Sequence, residues 1–230
     1  MVNYIGLKEV RDRVIELEKS SDKDLSQILA CGLLPRYGIL GNTGEQIYNL
    51  KMEDIDKDNR IINIRENGKV VRKVRVDDYL IKILDKAYNV PAAKNCRFED
   101  EDYIIKHVLG TRANHVPREE CLRNLVFNRF NQFKSLCDFP NYSARTFYFM
   151  RQLDYLNSIE QSKGECSSRD YINVYFKFRG YINPGEIKDL KMAHKSMKND
   201  ESFKVAIRRY KMVKITNEYI SNLEQELDAI

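Results

Sequence analysis

Helical periodicity runs through most of this chain, and one stretch breaks it in a way that constrains the fold. In KDNRIINIRENGKVVRKVRV, residues 57–76, Ile62 and Ile64 alternate with polar neighbours, Asn67-Gly68 follows, and Val74 and Val76 alternate on the return. Period-two alternation sends successive side chains to opposite faces, and an Asn-Gly pair supplies the positive φ values of a two-residue hairpin turn. The stretch is expected to form an antiparallel hairpin. Ile62, Ile64, Val74 and Val76 would face a core, Asn63, Arg65, Lys73 and Arg75 would face outward, and Lys69 would top the turn. A lone hairpin is marginal in water, so neighbouring helices must cover its apolar face.

Those helices are legible on both sides. Leu7, Val10, Val14 and Leu17 recur at helical spacing. Ser21 to Asp24 resembles a capping box for a second helix carrying Leu25, Ile28, Leu29 and Leu33. Gly38, Gly41 and Gly44 then interrupt, and a short third helix runs through Ile47 and Leu50. After the hairpin come a helix over 79–87, a short strand at DYIIK, and a long helix after Pro117 burying Leu122, Val126, Phe130 and Phe133. NYSARTFYFMRQLDYLNSIEQ reads as a helix with Phe147, Met150 and Leu153 inward, and another covers 171–178. Asn183-Pro184 opens a further helix with Ile187, Leu190 and Met197, and Asp200 caps a last, long one. The expected class is mostly α with a small antiparallel β-sheet (α+β).

Charge is uneven along the chain. The net value is only +5, yet residues 60–76 hold six Lys/Arg against one acid, and 186–214 hold nine against four. Basic patches of this kind suit a polyanion, and they also suit plain solvated helix faces. No apolar run approaches the roughly 20 residues that span a bilayer, and the N-terminus has no signal-peptide core, so a cytoplasmic protein with no membrane contact is expected. Five scattered cysteines and three histidines show no ligand spacing, so neither a disulfide framework nor a metal site is expected. No cofactor is expected either. The apolar stripe of the last helix (Phe203, Ile207, Tyr210, Val213, Ile220, Leu223, Leu227) continues into an acidic tail. It would either fold back in cis or dock on a second copy as a homodimer contact.

The order of these elements, and above all TGEQIYNLKMEDIDKDNRIINI, resembles the catalytic domain of tyrosine recombinases, the phage integrase family. DYIIKHVLG resembles the segment before that family's second catalytic motif, and NYSARTFYFMRQL resembles its His-x-x-Arg helix. The resemblance covers about residues 7–180. It implies two parts: a recombinase-catalytic-like DNA-binding domain over 1–183, and C-terminal helices over 184–230. It also implies a reaction. A tyrosine attacks the phosphodiester while two arginines, a lysine and His-like groups stabilise the phosphorane and move protons.

Residue by residue, the resemblance leaves that machinery largely empty. Aligning Leu50, Met52 and Asp54 puts Thr43 where the first arginine belongs. Asn67 falls at the lysine position with Lys69 two residues on, Tyr142 stands for a histidine, and Ser168 lies near the place of another. Arg145 matches the second arginine, and Tyr171, Tyr175 and Tyr181 lie near the nucleophile's place. A chain so altered resembles the integrase-like lysogeny repressors of SPβ-type Bacillus phages. It is expected to hold double-stranded DNA without cutting it, as a transcriptional repressor or regulator of a phage or mobile element. The expected phosphate contacts are Arg65, Lys69, Arg72, Arg75 and Arg145, with Arg151, Lys177 and Arg179 as a second set. Full members carry a core-binding domain of roughly a hundred residues ahead of this one. Its equivalent would have to come from elsewhere, or dimerisation through the last helix would substitute for it. Two alternatives stand beside this reading. One is an active recombinase in which Arg36 or Lys51 replaces the residue missing at 43. The other is a protein-interaction module whose basic patches are only solvated faces.

Overall fold

A computed structural model describes residues 4–66, 68–91, 101–106 and 118–179, with the side chains of Arg118, Ser168, Ile172, Tyr175, Phe176 and Arg179 left out of the description. The elements are α1 (Leu7–Ser20), α2 (Ser26–Arg36), α3 (Glu45–Tyr48), a 3-10 turn (Met52–Asp54), β1 (Ile55–Asp56), β2 (Ile61–Glu66), β3 (Lys69–Arg75), α4 (Asp78–Asn89), α5 (Arg118–Leu136), α6 (Ala144–Lys163) and α7 (Ser168–Arg179). Helices with one three-stranded antiparallel sheet, in the order β1-β2-β3, make this an α+β fold. The expected boundary at 183/184 and the two expected helices beyond it, with their dimer contact, lie outside the described residues. So do Asn67, Tyr181, Cys96 and the three histidines. Two compact units make up the chain. Ile5–Arg151 forms one, and Met1–Tyr4 with Gln152–Ile230 forms the other, so the division falls within α6.

In the larger unit, α2 is the central helix. It is buried over nearly its whole length, with Leu29, Ala30, Leu33 and Leu34 at 1% exposure or less. Gly32 is what lets α5 come close: a Cβ on it would stand 2.1 Å from the Phe133 ring. Phe130, Phe133, Phe139 and Phe147 form a ring cluster with centroid separations of 5.6 to 6.1 Å, mostly edge to face, as aromatic quadrupoles prefer. Beneath them a buried polar network joins four segments. Gln27 donates to the carbonyls of Ala87 (2.6 Å) and Ile104 (2.7 Å), and its Oε1 accepts from Arg129 (2.6 Å) and from the Lys106 N–H (3.1 Å). Buried amides of this kind are stable only when their polar atoms are matched, and here they fix α2, α4, α5 and the 101–106 segment in register.

The hairpin forms as its alternation predicts. Ile62, Ile64, Val74 and Val76 are buried, Arg65, Lys69, Lys73 and Arg75 are exposed, and Asn63 is half-buried. Gly68 takes φ +77°, and Glu66 pairs with Lys69 across the turn. A bulge falls between Ile64 and Arg65: Ile64 opposes Arg72, whereas Arg65 opposes Val70.

Three local expectations change in detail. The second helix has Leu25 at its N-cap with no side-chain cap bond; Asp24 Oδ1 accepts the Ser26 N–H at 2.9 Å from one residue further out, while Ser21 bonds Lys23, so no capping box spans Ser21 to Asp24. DYIIK makes a single antiparallel bridge, Lys51 to Tyr103, in place of a strand, with the Ile104 N–H donating to the Leu50 carbonyl (2.9 Å) and the Met52 N–H to the Asp102 carbonyl (3.4 Å) before the 3-10 turn takes over. The third helix stops at Tyr48, so Leu50 is buried just beyond it.

In the smaller unit, α7 opens with a capping box. The Ser167 Oγ accepts from the Asp170 N–H (3.3 Å) and the Asp170 carboxylate accepts from the Ser167 N–H (3.0 Å). Lys163 also donates to Asp170 at 2.9 Å, and these bonds hold the Asp170 carboxyl down to about 2.

Candidate nucleic-acid interface

The Gly-rich turn before α3 is built around one carboxylate. Gly41 and Gly44 take φ of +77° and +87°, values that strain other residues, and the chain folds over Glu45. Glu45 Oε1 accepts the Asn42 N–H at 2.7 Å; its Oε2 accepts the Thr43 N–H at 2.7 Å and the Thr43 hydroxyl at 3.1 Å. A Cβ on Gly41 would stand 2.3 Å from that carboxylate and would displace it from its donors, and the φ of +77° there also favours glycine. Burial alone would push the Glu45 carboxyl up, but the donated N–H and O–H groups outweigh it and hold it below its ordinary value. Thr43 therefore spends its backbone N–H and its hydroxyl on its own chain.

Arg145 comes to the same turn. It lies in the first turn of α6, whose N-terminus is capped by Ser143, with the Oγ accepting the Thr146 N–H at 3.1 Å. From there the exposed guanidinium donates to the Asn42 carbonyl at 3.0 Å. Thr43 and Arg145, the two positions that the sequence resemblance aligns with arginines, thus meet at one turn, although they are a hundred residues apart in sequence. One holds a guanidinium, and the other holds a neutral side chain bonded to Glu45.

Tyr142, which the sequence resemblance aligns with a histidine, packs its ring against Phe139 (5.7 Å) and Phe147 (5.5 Å). Burial and then the Glu9 charge raise its phenol, so it stays neutral. It can form a hydrogen bond but carries no cation at neutral pH.

On the hairpin the six cations of 60–76 divide. Lys69, Lys73 and Arg75 project into solvent. Arg60 pairs with Asp78 at 2.7 Å. Arg65 donates through Nε to Asp54 at 2.5 Å and through Nη1 to the Gly68 carbonyl at 3.3 Å, the Asp54 side chain being 4% exposed and its own 42%, so the guanidinium is tied at two points while part of it stays exposed. Asp54 first by its hydrogen bond and then by its charge raises the Arg65 pKa further. Arg72 faces the opposite way. Opposite Ile64 and in phase with Val74 and Val76, it turns toward the body and donates through Nη2 to the Gly38 carbonyl (2.7 Å) and to Gln46 Oε1 (3.0 Å). Its parity with the buried valines is the sequence signal for that orientation.

The remaining candidates lie on α6 and α7. Arg151 is half-buried on α6, near enough to Tyr37 to favour the ionised phenol, although burial and Asp77 raise that phenol well above its ordinary value. Lys177 belongs to the smaller unit, is exposed, and lies 4.0 Å from the centroid of the Tyr155 ring. Ser168, Tyr175 and Arg179 lie on α7, and the structure describes only their backbone.

The two candidate replacements for residue 43 also have places. Arg36 is fully buried and donates to the Ile5 carbonyl at 3.0 Å, so its guanidinium cannot meet a phosphate on the surface. Lys51 extends over the Tyr103 ring at 5.1 Å. It lines a polar cavity of about 510 Å³ with Asp54, Asn63 and Arg65, and Thr43 is not among the lining residues. Glu45, Gln46 and Asp54 are the residues that organise the face and that sequence reasoning passed over. Glu45 had a signal, an acid directly after Gly44 at a helix start; Gln46 had none.

Among the described residues no helix is long and apolar enough to cross a membrane, and no cluster of three or more His, Cys, Asp or Glu could hold a metal ion. A comparison with curated proteins found no match. Residues 26–202, the greater part of the chain, match the family model described as "MrpR, C-terminal catalytic domain". The order of helices, Gly-rich turn and hairpin is the order on which the integrase resemblance rests, and with this match the chain belongs to the MrpR C-terminal catalytic domain family, a tyrosine-recombinase-like, integrase-type family.

Proposed function

We propose that this domain grips duplex DNA through its backbone and does not cut it, serving as a repressor or regulator of a phage or mobile element in the host cytoplasm. The observation that carries this reading is the pairing at the Gly41–Gly44 turn. Arg145 stands there exposed, and beside it Thr43 is bonded to Glu45 instead of offering a second cation. A phosphorane develops charge that preorganised cations must meet, and losing such a donor lowers the rate by roughly two to three orders of magnitude. Binding needs no such development. A ground-state phosphate is held by Arg145, Lys69, Lys73, Arg75 and the exposed part of Arg65, contacts that position a protein without reading bases.

The burial of Arg36 supports this reading over an active recombinase with a relocated arginine. The exposed cations that the larger unit carries on the hairpin and at Arg145 support it over a protein-interaction module. A homodimer through the C-terminal helix would supply the second grip on DNA. Gel-shift titration of a random-sequence duplex at two salt concentrations, beside a nicked suicide substrate, tests the proposal. The expected result is salt-sensitive binding with no covalent adduct. An adduct through any tyrosine overturns non-cleavage, and no shift at low salt overturns DNA binding.

A further inference from the structure

The hairpin and the Gly41–Gly44 turn come from separate parts of the sequence, and one small side chain touches both. Gln46 Oε1 accepts the Arg72 guanidinium at 3.0 Å and the Leu40 N–H at 3.3 Å, while its Nε2 donates to Glu66 Oε1 at 3.3 Å. Arg72 continues the tie to Gly38 at 2.7 Å. Glu66 is the register partner of Lys69, and Leu40 leads directly into the turn whose Asn42 carbonyl accepts Arg145. Gln46 is 9% exposed, so it is placed to act through these bonds and hardly at all through the surface.

We infer that Gln46 is a positioning residue for DNA binding, setting the hairpin that carries Lys69 in one fixed relation to the turn whose Asn42 carbonyl anchors Arg145. The inference rests on the DNA-gripping reading above. Its physical content is preorganisation. Two phosphate contacts on parts that move independently each lose ordering free energy on binding, whereas contacts on one rigid body share it. The residue type matters, because an amide offers an acceptor on one side and donors on the other. A glutamate could still accept from Arg72 and Leu40, but it would present an acceptor to the Glu66 carboxylate and break the half of the tie that reaches the hairpin turn. The same geometry makes Arg72 a support for the surface, not a member of it.

The test is anisotropy titration of a random-sequence duplex across several salt concentrations, with thermal melting of every variant. Gln46→Leu and Gln46→Glu are each expected to bind about tenfold more weakly than wild type, by loss of preorganisation. The double variant Gln46→Glu with Glu66→Gln has the wild-type net charge and restores a donor facing an acceptor, so it is expected to return to within about twofold of wild type. Arg72→Gln is expected to lower affinity at an unchanged salt slope, whereas Lys69→Met flattens the slope by about 0.9, one phosphate contact. Wild-type affinity in Gln46→Leu, or no recovery in the charge-exchanged double variant, overturns the role of Gln46. A slope loss in Arg72→Gln equal to that of Lys69→Met overturns it too, because Arg72 would then be touching DNA. These failures leave wild-type binding intact. If the wild-type chain binds no duplex at all, the DNA reading falls and takes this inference with it.

Discussion

Where α2 crosses α5, a methyl group has no room: the Phe133 ring lies 2.1 Å from where a Gly32 Cβ would be, and Phe130, Phe139 and Phe147 close around it. At the Gly41–Gly44 turn and along the hairpin's outer face, the contacts are polar, local and largely exposed. The turn is held by Glu45 of its own segment, and Arg145 touches it through a backbone carbonyl that any residue at position 42 would supply. Under the non-cleaving reading proposed above, the contrast explains how a recombinase-like frame would persist around altered chemistry. The scaffold is fixed by aromatic side chains whose shapes interlock. The surface turn is closed mainly by backbone N–H bonds to Glu45, and the Thr43 hydroxyl bond is the one among them that depends on the identity of residue 43. Thr43 could take that position without disturbing a single core contact.

The contrast is sharpest at Phe147, which is fully buried among three aromatic rings and Tyr142. Phe147→Ala is expected to destabilise the fold by about 3–5 kcal/mol, the usual range for an aromatic deleted from a core. Urea unfolding measures this. A loss under about 1 kcal/mol would mean the cluster is loosely packed and the proposed division between rigid scaffold and permissive surface is false.

The surface half of the comparison predicts the opposite pattern. Reversing charge at Lys69 and Arg145 together should weaken DNA binding roughly a hundredfold and flatten the salt slope by about 1.8, two contacts' worth. The melting temperature should stay near wild type, because exposed charges contribute little to stability. If the double variant binds as tightly as wild type, the cationic face lies elsewhere on the molecule. If it unfolds, Arg145 and Lys69 are structural after all.

Which parts were legible in sequence follows the same line. Period-two alternation and helical spacing report burial directly, so the hairpin's inward residues and the inward faces of α1, α5 and α6 could be read without a structure. Partner choice by polar side chains could not. Arg65 and Arg72 look alike in KDNRIINIRENGKVVRKVRV, yet one is bound by Asp54 eleven residues earlier and the other by Gly38 and Gln46 from before the sheet. The phase of Arg72 with Val74 and Val76 carried its orientation, and the pattern of basic residues obscured it. Gln46 gave no signal because an amide's role lies in which distant groups it joins. Arg36 in a run of apolar residues did carry one, since a cation there must be buried along with its helix.

The smallest expected effect lies at a third kind of contact, polar but not exposed, between α1 and α4. The Asp77 carboxylate caps α4 by accepting the Leu80 N–H at 3.0 Å, and it also accepts the Tyr37 hydroxyl at 2.7 Å and Arg11 at 2.9 Å. Partial burial would raise its pKa, but the three donors and the Arg11 charge outweigh that and lower it. A carboxyl whose folded pKa lies below its unfolded value of about 3.9 stabilises the fold fully above that unfolded value. The contribution is lost as pH falls through it toward the folded pKa. At pH 7, Asp77→Asn should therefore melt lower than wild type by an amount corresponding to about 1 kcal/mol, since asparagine keeps a capping oxygen and loses only the charge-assisted part of the bonds. Repeating the melts from pH 7 down to pH 3 should narrow the gap between the two proteins only below about pH 4. A gap of constant width across that range would show that Asp77 acts by shape alone, and would move this contact from the electrostatic side of the comparison to the side of the interlocked core.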